Sequence, residues 1–237
     1  MEKEMKIYLV KRKKGYTFVS LNKKLYKMNT EEKRIGNYLI EVIQDEHTDS
    51  PREWDNLGTM ICFHKRYDLG DKHDYRSNDY SGWSEQRKDI EKKENVCVIL
   101  PLYLYDHSGI TMKTSPFSCS WDSGQVGWVV VSKEKVRKEY GVKRINKELI
   151  EKVTNVLENE VKTYDQYLTG DVYGYRISKV TECDLGHEHK EEVDSCWGCY
   201  GVEECMTEAE GIVDYRIKNE VVTDKDFSDM LHSVDNN

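Results

Sequence analysis

Apolar and polar positions alternate in short blocks through much of the chain, and a few longer stretches carry apolar residues at helical spacing. The most strand-like run is Val126 to Val131, where β-branched residues of both parities predict a central strand covered on both faces. Met5 to Val10 and Gly15 to Leu21 read as two strands joined across a basic turn. Asn37 to Gln44 alternates through Tyr38, Ile40 and Val42, and Thr59 to His64 reads as another strand. Val96 to Tyr105 is nearly all apolar, with Pro101 marking an edge or a bulge. The turn Asp106-His107-Ser108-Gly109 returns the chain through Ile110 to Thr114. Val172 to Val180 and Val193 to Tyr200 form a further hairpin pattern.

Helical spacing predicts Ser81 to Glu94, a short helix from Ser132 to Tyr140 capped by Ser132 and ended by Gly141, and a long one from about Lys147 to Leu168. The long helix carries Val153, Val156, Leu157, Val161 and Tyr164 on one stripe and Gly170 at its end. Gly201 to Lys218 closes the core as a last helix. The elements define an α+β protein, with a mixed or largely antiparallel sheet and two to four helices packed against it. The expected organisation is a single domain over residues 1–223, with a basic hairpin region at 1–35, an acidic hairpin and helix at 182–223, and a polar tail at 224–237.

At 237 residues the chain can bury a core without staples. No apolar stretch reaches the length of a membrane span and the first residues lack the apolar run of a signal peptide, so a cytoplasmic protein with no membrane partner is expected. The seven cysteines are read as thiols in a reducing compartment. The net charge of −8 hides an asymmetry. Residues 1–35 hold eleven Lys/Arg against four Glu, whereas residues 182–237 hold four Lys/Arg against sixteen Asp/Glu. Lys11 to Lys14, with Lys23, Lys24 and Lys27, offer a basic footprint for nucleic acid, although the overall acidity opposes broad duplex affinity. The acidic end suits a basic partner.

Two candidate chemistries follow from residue types. Asp55, Asp106, His107, Asp122, Ser123, Asp165 and Asp171 lie on turns that can converge as a metal-dependent or hydrolytic site. Walker A, G-x-G-x-x-G and H-E-x-x-H signatures are absent, and Trp121-Asp122-Ser123-Gly124-Gln125 lacks the flanking glycines of a nucleophile elbow. Cys183, His187, Cys196 and Cys199 are a possible zinc hairpin, against the reading that no cofactor is held; strand alternation sends Cys196 and Cys199 to opposite faces unless Gly198 breaks the strand.

The segments Ser50-Pro51-Arg52-Glu53-Trp54-Asp55-Asn56-Leu57-Gly58, Leu100 to Gly109, Ser120 to Trp128, Tyr167 to Gly174, and Asp194-Ser195-Cys196-Trp197-Gly198 resemble a group of uncharacterised phage, prophage and plasmid proteins. The resemblance brings no activity or fold. It implies a mobile-element setting, in which accessory proteins act against host defence, as anti-CRISPR or anti-restriction proteins do, or redirect host machinery. The expected function is non-enzymatic binding to a host protein or nucleoprotein complex in the host cytoplasm. Trp54, Asp55, His107, Asp122, Ser123, Gln125 and Asp171 are the candidate recognition residues on loops, and Glu203, Glu204 and Glu208 are those on the last helix. An enzyme built on the Asp and His turns is the alternative, with the zinc hairpin third.

Overall fold

The computed structural model describes the backbone of residues 8–12, 15–19 and 30–234 and the side chains of residues 31–220. Ten strands and four helices are described, and every strand pair is antiparallel. The α+β class is as the pattern predicts, but the expected sheet is divided into two of four strands each, beside a separate two-stranded hairpin.

The hairpin consists of β1 (Tyr8–Arg12) and β2 (Gly15–Val19), paired from Tyr8↔Val19 to Arg12↔Gly15. Residues 13 and 14 and the lysines at 23, 24 and 27 lie outside the described residues.

One sheet contains β3 (Thr30–Ile35), β4 (Tyr38–Gln44), β9 (Val172–Glu182) and β10 (Glu188–Tyr200), in the order β10-β9-β4-β3. Tyr38, Ile40 and Val42 of β4, with Tyr175 and Ile177 of β9, turn one face toward α4 (Val202–Val234) and bury Cys205, Ala209 and Val213 there. The helix runs past the expected end at Lys218, since neither Gly nor Pro interrupts residues 219–234. Strand β3 has no alternating apolar pattern; it forms because β4 offers it an unpaired edge.

The other sheet contains β5 (Thr59–Cys62), β6 (Val96–Asp106), β7 (Ile110–Lys113) and β8 (Ser123–Ser132), in the order β5-β8-β6-β7. Strand β8 is interior, and Val126 to Val131 are buried without a break. Val129 and Val131 face α3 (Lys147–Thr169), whereas Trp128 and Val130 face the opposite way, toward Ile90 of α1 (Trp83–Lys93). Val153, Leu157, Val161 and Tyr164 recur at three- and four-residue spacing on the buried side of α3. Each such side chain contributes about 1.5–3 kcal/mol by leaving water. Pro101 lies where β6 has a strand neighbour on one side only, before the Tyr103 to Asp106 segment that β7 covers, and a register shift against β8 follows between Leu102 and Tyr103, so it marks a local edge beside a bulge.

The caps set the ends of these helices. Ser132 accepts from Lys135 N at the start of α2 (Lys133–Tyr140), and Asn146 accepts from Leu149 N at the start of α3. Gly170 takes φ 73° and closes α3. Helix α1 has no such cap: Gly82 precedes it, and Ser81 bonds instead to the Glu85 carboxylate through both N and Oγ.

Candidate functional site

The turn before β8 is built from Cys119 to Asp122. Ser123 Oγ donates to the Cys119 carbonyl, and Asp106 N donates to the Asp122 carbonyl, fixing the turn against the end of β6. Asp122 Oδ2 lies 3.2 Å from His107 Nδ1 on the neighbouring β6–β7 turn. The adjacent Asp106 carboxylate accepts from Arg66 and from the Tyr67 hydroxyl. Gln125 Nε2 reaches the Gly127 carbonyl at 3.3 Å. A groove of about 580 Å³ opens here, walled by Phe63 to Arg66 on one side and Trp121 to Gln125 on the other. Trp121 is 95% exposed at its rim.

The loop residues expected to act together are divided between two places. Asp122, Ser123 and Gln125 line the groove and His107 stands beside it. Trp54 is not among the lining residues; it is half exposed and meets the Tyr200 ring edge-on at 5.5 Å. Asp55 is exposed next to it. Asp171 belongs to the α3–β9 junction, where its carboxylate accepts from Gln166 and its carbonyl accepts from Gly201 N. Asp165 holds β7 by accepting from Thr111 Oγ1 and Met112 N. Of the polar turns, only those with Asp106, His107, Asp122 and Ser123 come together. Trp121, Lys65 and Arg66 were not singled out from sequence. The available signal was a tryptophan flanked by Ser120 and Asp122 in a turn with no apolar neighbour to bury it.

The hairpin cysteines are arranged differently from the zinc expectation. Cys183 and His187 close the tip of the β9–β10 hairpin, with Cys183 N donating to the His187 carbonyl. Cys196 and Cys199 lie near the other end of β10, opposite Tyr175 and Tyr173. Gly198 at φ 80° forms a bulge, so Cys196 and Cys199 share the face toward α4 rather than opposing faces. The Cys199 thiol meets those of Cys205 and Cys196 there, and burial pushes Cys199 and Cys205 above the ordinary thiol range. Among the described residues, no group of three or more His, Cys, Asp or Glu side chains is placed to hold a metal ion.

The third feature is electrostatic. Residues 182–220 carry twelve carboxylates against three basic side chains. On α4, Glu203, Glu204, Glu208 and Asp214 are all exposed. Glu203, Glu204 and Asp214 have no ion-pair partner among the described residues, whereas Glu210 is held by Lys33 at 2.7 Å. Tyr215 is 69% exposed further along the helix. Glu188, at the hairpin, pairs with Arg34, and that hydrogen bond holds its carboxyl below the usual range. No described helix is long and apolar enough to cross a membrane. No family model, curated protein or solved structure matches the chain.

Proposed function

We propose that the protein acts by non-enzymatic binding, with the outer face of α4 as its contact surface and a basic protein as its partner. The observation that carries this reading is the set of exposed carboxylates at Glu203, Glu204 and Asp214, without ion-pair partners among the described residues, with Glu208 beside them. Exposed carboxylates left without local cations raise the potential over one face and steer a positively charged partner toward it. Tyr215 supplies an aromatic anchor on the same helix, the residue type that concentrates binding energy at interfaces. A nucleic-acid-binding protein of the host, or its nucleoprotein complex, has the complementary charge, and the row of carboxylates then occupies the place of phosphates. The phage or plasmid setting, a counter-defence role and action in the host cytoplasm rest on the sequence resemblance.

The test is affinity capture from a bacterial lysate followed by association kinetics with the captured protein. Wild type is expected to bind with a rate that falls steeply as salt rises. Glu203→Lys, Glu204→Lys and Asp214→Lys together are expected to slow association about tenfold or more while leaving the melting temperature near that of wild type, whereas Glu208 also accepts from the buried Tyr175 hydroxyl and is left in place. Salt-insensitive binding, or an unchanged association rate in the triple variant, would remove α4 as the contact surface.

A further inference from the structure

The two strands flanking β8 do not cover it equally. Strand β6 pairs with β8 all the way to Tyr105↔Ser123. Strand β5 stops at Cys62↔Gly127, and Phe63 N to the Val126 carbonyl is the last bond on that side. Among the described residues, Ser123 to Gln125 therefore have no strand neighbour on the β5 side, and the groove of about 580 Å³ occupies that space. An unpaired strand edge beside an open groove is a template for one more strand.

The walls of the groove are held in place by their own hydrogen bonds and ring contacts. His64 Nδ1 accepts from the backbone N–H groups of Arg66 and Tyr67, and its ring stacks on Tyr67 at 4.9 Å. The two carboxylates in the groove already have partners, Asp106 in Arg66 and Tyr67 and Asp122 in His107. Lys65 is exposed and has no ion-pair partner among the described residues, leaving a cation on the wall opposite Trp121. Trp121 presents almost its whole ring to water, a surface that gains most from covering by another apolar side chain.

We infer that the Ser123 to Gln125 edge of β8 takes an extended peptide from a partner protein by strand addition, with an apolar side chain over Trp121 and a carboxylate toward Lys65. Backbone hydrogen bonds to β8 supply the register, and alternate side chains of the peptide enter the groove. This site is separate from the acidic face of α4 and does not depend on it.

The probe is a library of short random peptides, displayed and selected on the intact protein, from which the consensus peptide is synthesised. Strand addition predicts a period of two when each peptide nitrogen is methylated in turn. Methylation at alternate positions weakens binding about tenfold or more, and methylation between them is tolerated. Trp121→Ala is expected to weaken the peptide about tenfold, and Lys65→Glu about fivefold, without lowering the melting temperature. The triple lysine variant of α4 is expected to bind the peptide as wild type does, so failure of one site is distinguishable from failure of the other. Selection of no peptide, uniform tolerance of methylation, or indifference to Trp121→Ala would each overturn the proposal. So would a concentration-dependent dimer that Trp121→Ala abolishes, because the edge would then be taken by a second copy of the chain.

Discussion

Arg52 and Asp71 form a two-pronged ion pair, with Nε to Oδ1 at 3.0 Å and Nη2 to Oδ2 at 2.6 Å, and the Arg52 side chain is 5% exposed. The same guanidinium donates to the Gly58 carbonyl and lies 3.6 Å from Glu160 on α3. Glu160 in turn accepts from Leu57 N and Gly58 N, and Asp71 accepts from Met60 N. One arginine thus ties the loop before β5, the long loop after it and α3 together. Arg52→Ala should cost about 3–5 kcal/mol in urea unfolding, because it strands two partly buried carboxylates. Arg52→Lys should recover only part of this, since a single ammonium cannot reproduce the fork.

Gly127 is the second sensitive point, for a steric reason. A Cβ at this position would overlap the carbonyl oxygen of Ile61 and crowd the backbone of Cys62. Backbone cannot rotate aside as a side chain can, so Gly127→Ala should force β5 from β8 and cost about 2–4 kcal/mol. Gly124→Ala on the same strand has open space and should leave the unfolding midpoint nearly unchanged. Parallel denaturation of the two variants separates the close approach from a general intolerance of alanine in β8.

The elements with strong periodicity were legible in the chain. The doubly covered β8, the Ser132 cap of α2 and the stripe of α3 follow from residues within one window of sequence. What could not be read depends on partners far apart. Arg52 looks like any loop arginine until Asp71 and Glu160, which are 19 and 108 positions away in the chain, arrive beside it. Strand β3 reads as polar because its stabilisation is the pairing itself, and the division into two sheets is invisible because alternation does not say which strands meet. In the groove, the turn around Asp122 is legible from sequence, but Trp54 and Asp171 carry the same polar-turn signature and belong elsewhere.

Asp122→Ala distinguishes a turn that presents side chains from one that depends on them. Its carboxylate faces an exposed His107 and the Cys119 thiol, while the bond that fixes the turn to β6 is made by its backbone carbonyl. The substitution should therefore cost under about 1 kcal/mol, in keeping with an exposed pair. A loss of several kcal/mol in denaturation would instead make the side chain part of the fold.

The cysteines should label in a definite order. Backbone N–H groups of Leu185 and His187 lower the Cys183 thiol at the hairpin tip. Burial raises Cys62 to about 12 and also raises Cys97, Cys199 and Cys205. Because the thiolate is the nucleophile, iodoacetamide at neutral pH should modify Cys183 before these four. Peptide mapping over a time course checks this, and equally early labelling of Cys205 would show that α4 opens from its sheet.

Acid should loosen α1 where its own carboxylates hold it to the segment that precedes it. Asp89 accepts from Lys93 and from the Tyr80 hydroxyl, each at 2.7 Å, and these bonds depress its carboxyl below the ordinary 3.8. Glu85 is likewise lowered from 4.5 by its bonds from Ser81. A carboxyl with a depressed folded-state pKa contributes stability that is fully present above its unfolded value and disappears as pH falls through the folded one. The bonds that tie α1 to Tyr80 and Ser81 should therefore be intact above pH 4.5 and weaken progressively below 3.8. Trp128 reports the event, because its indole N–H donates to Gln86 Oε1 on α1 at 2.9 Å. Its NMR cross-peak should shift in that acid window while Trp121, exposed on the far loop, stays unchanged. Asp89→Asn keeps a hydrogen-bond acceptor but loses the charge, so it should be less stable near neutrality and show a shallower acid dependence. If the Trp128 signal were to move at the same pH and to the same extent in wild type and Asp89→Asn, the Asp89 bonds would not be what holds the helix.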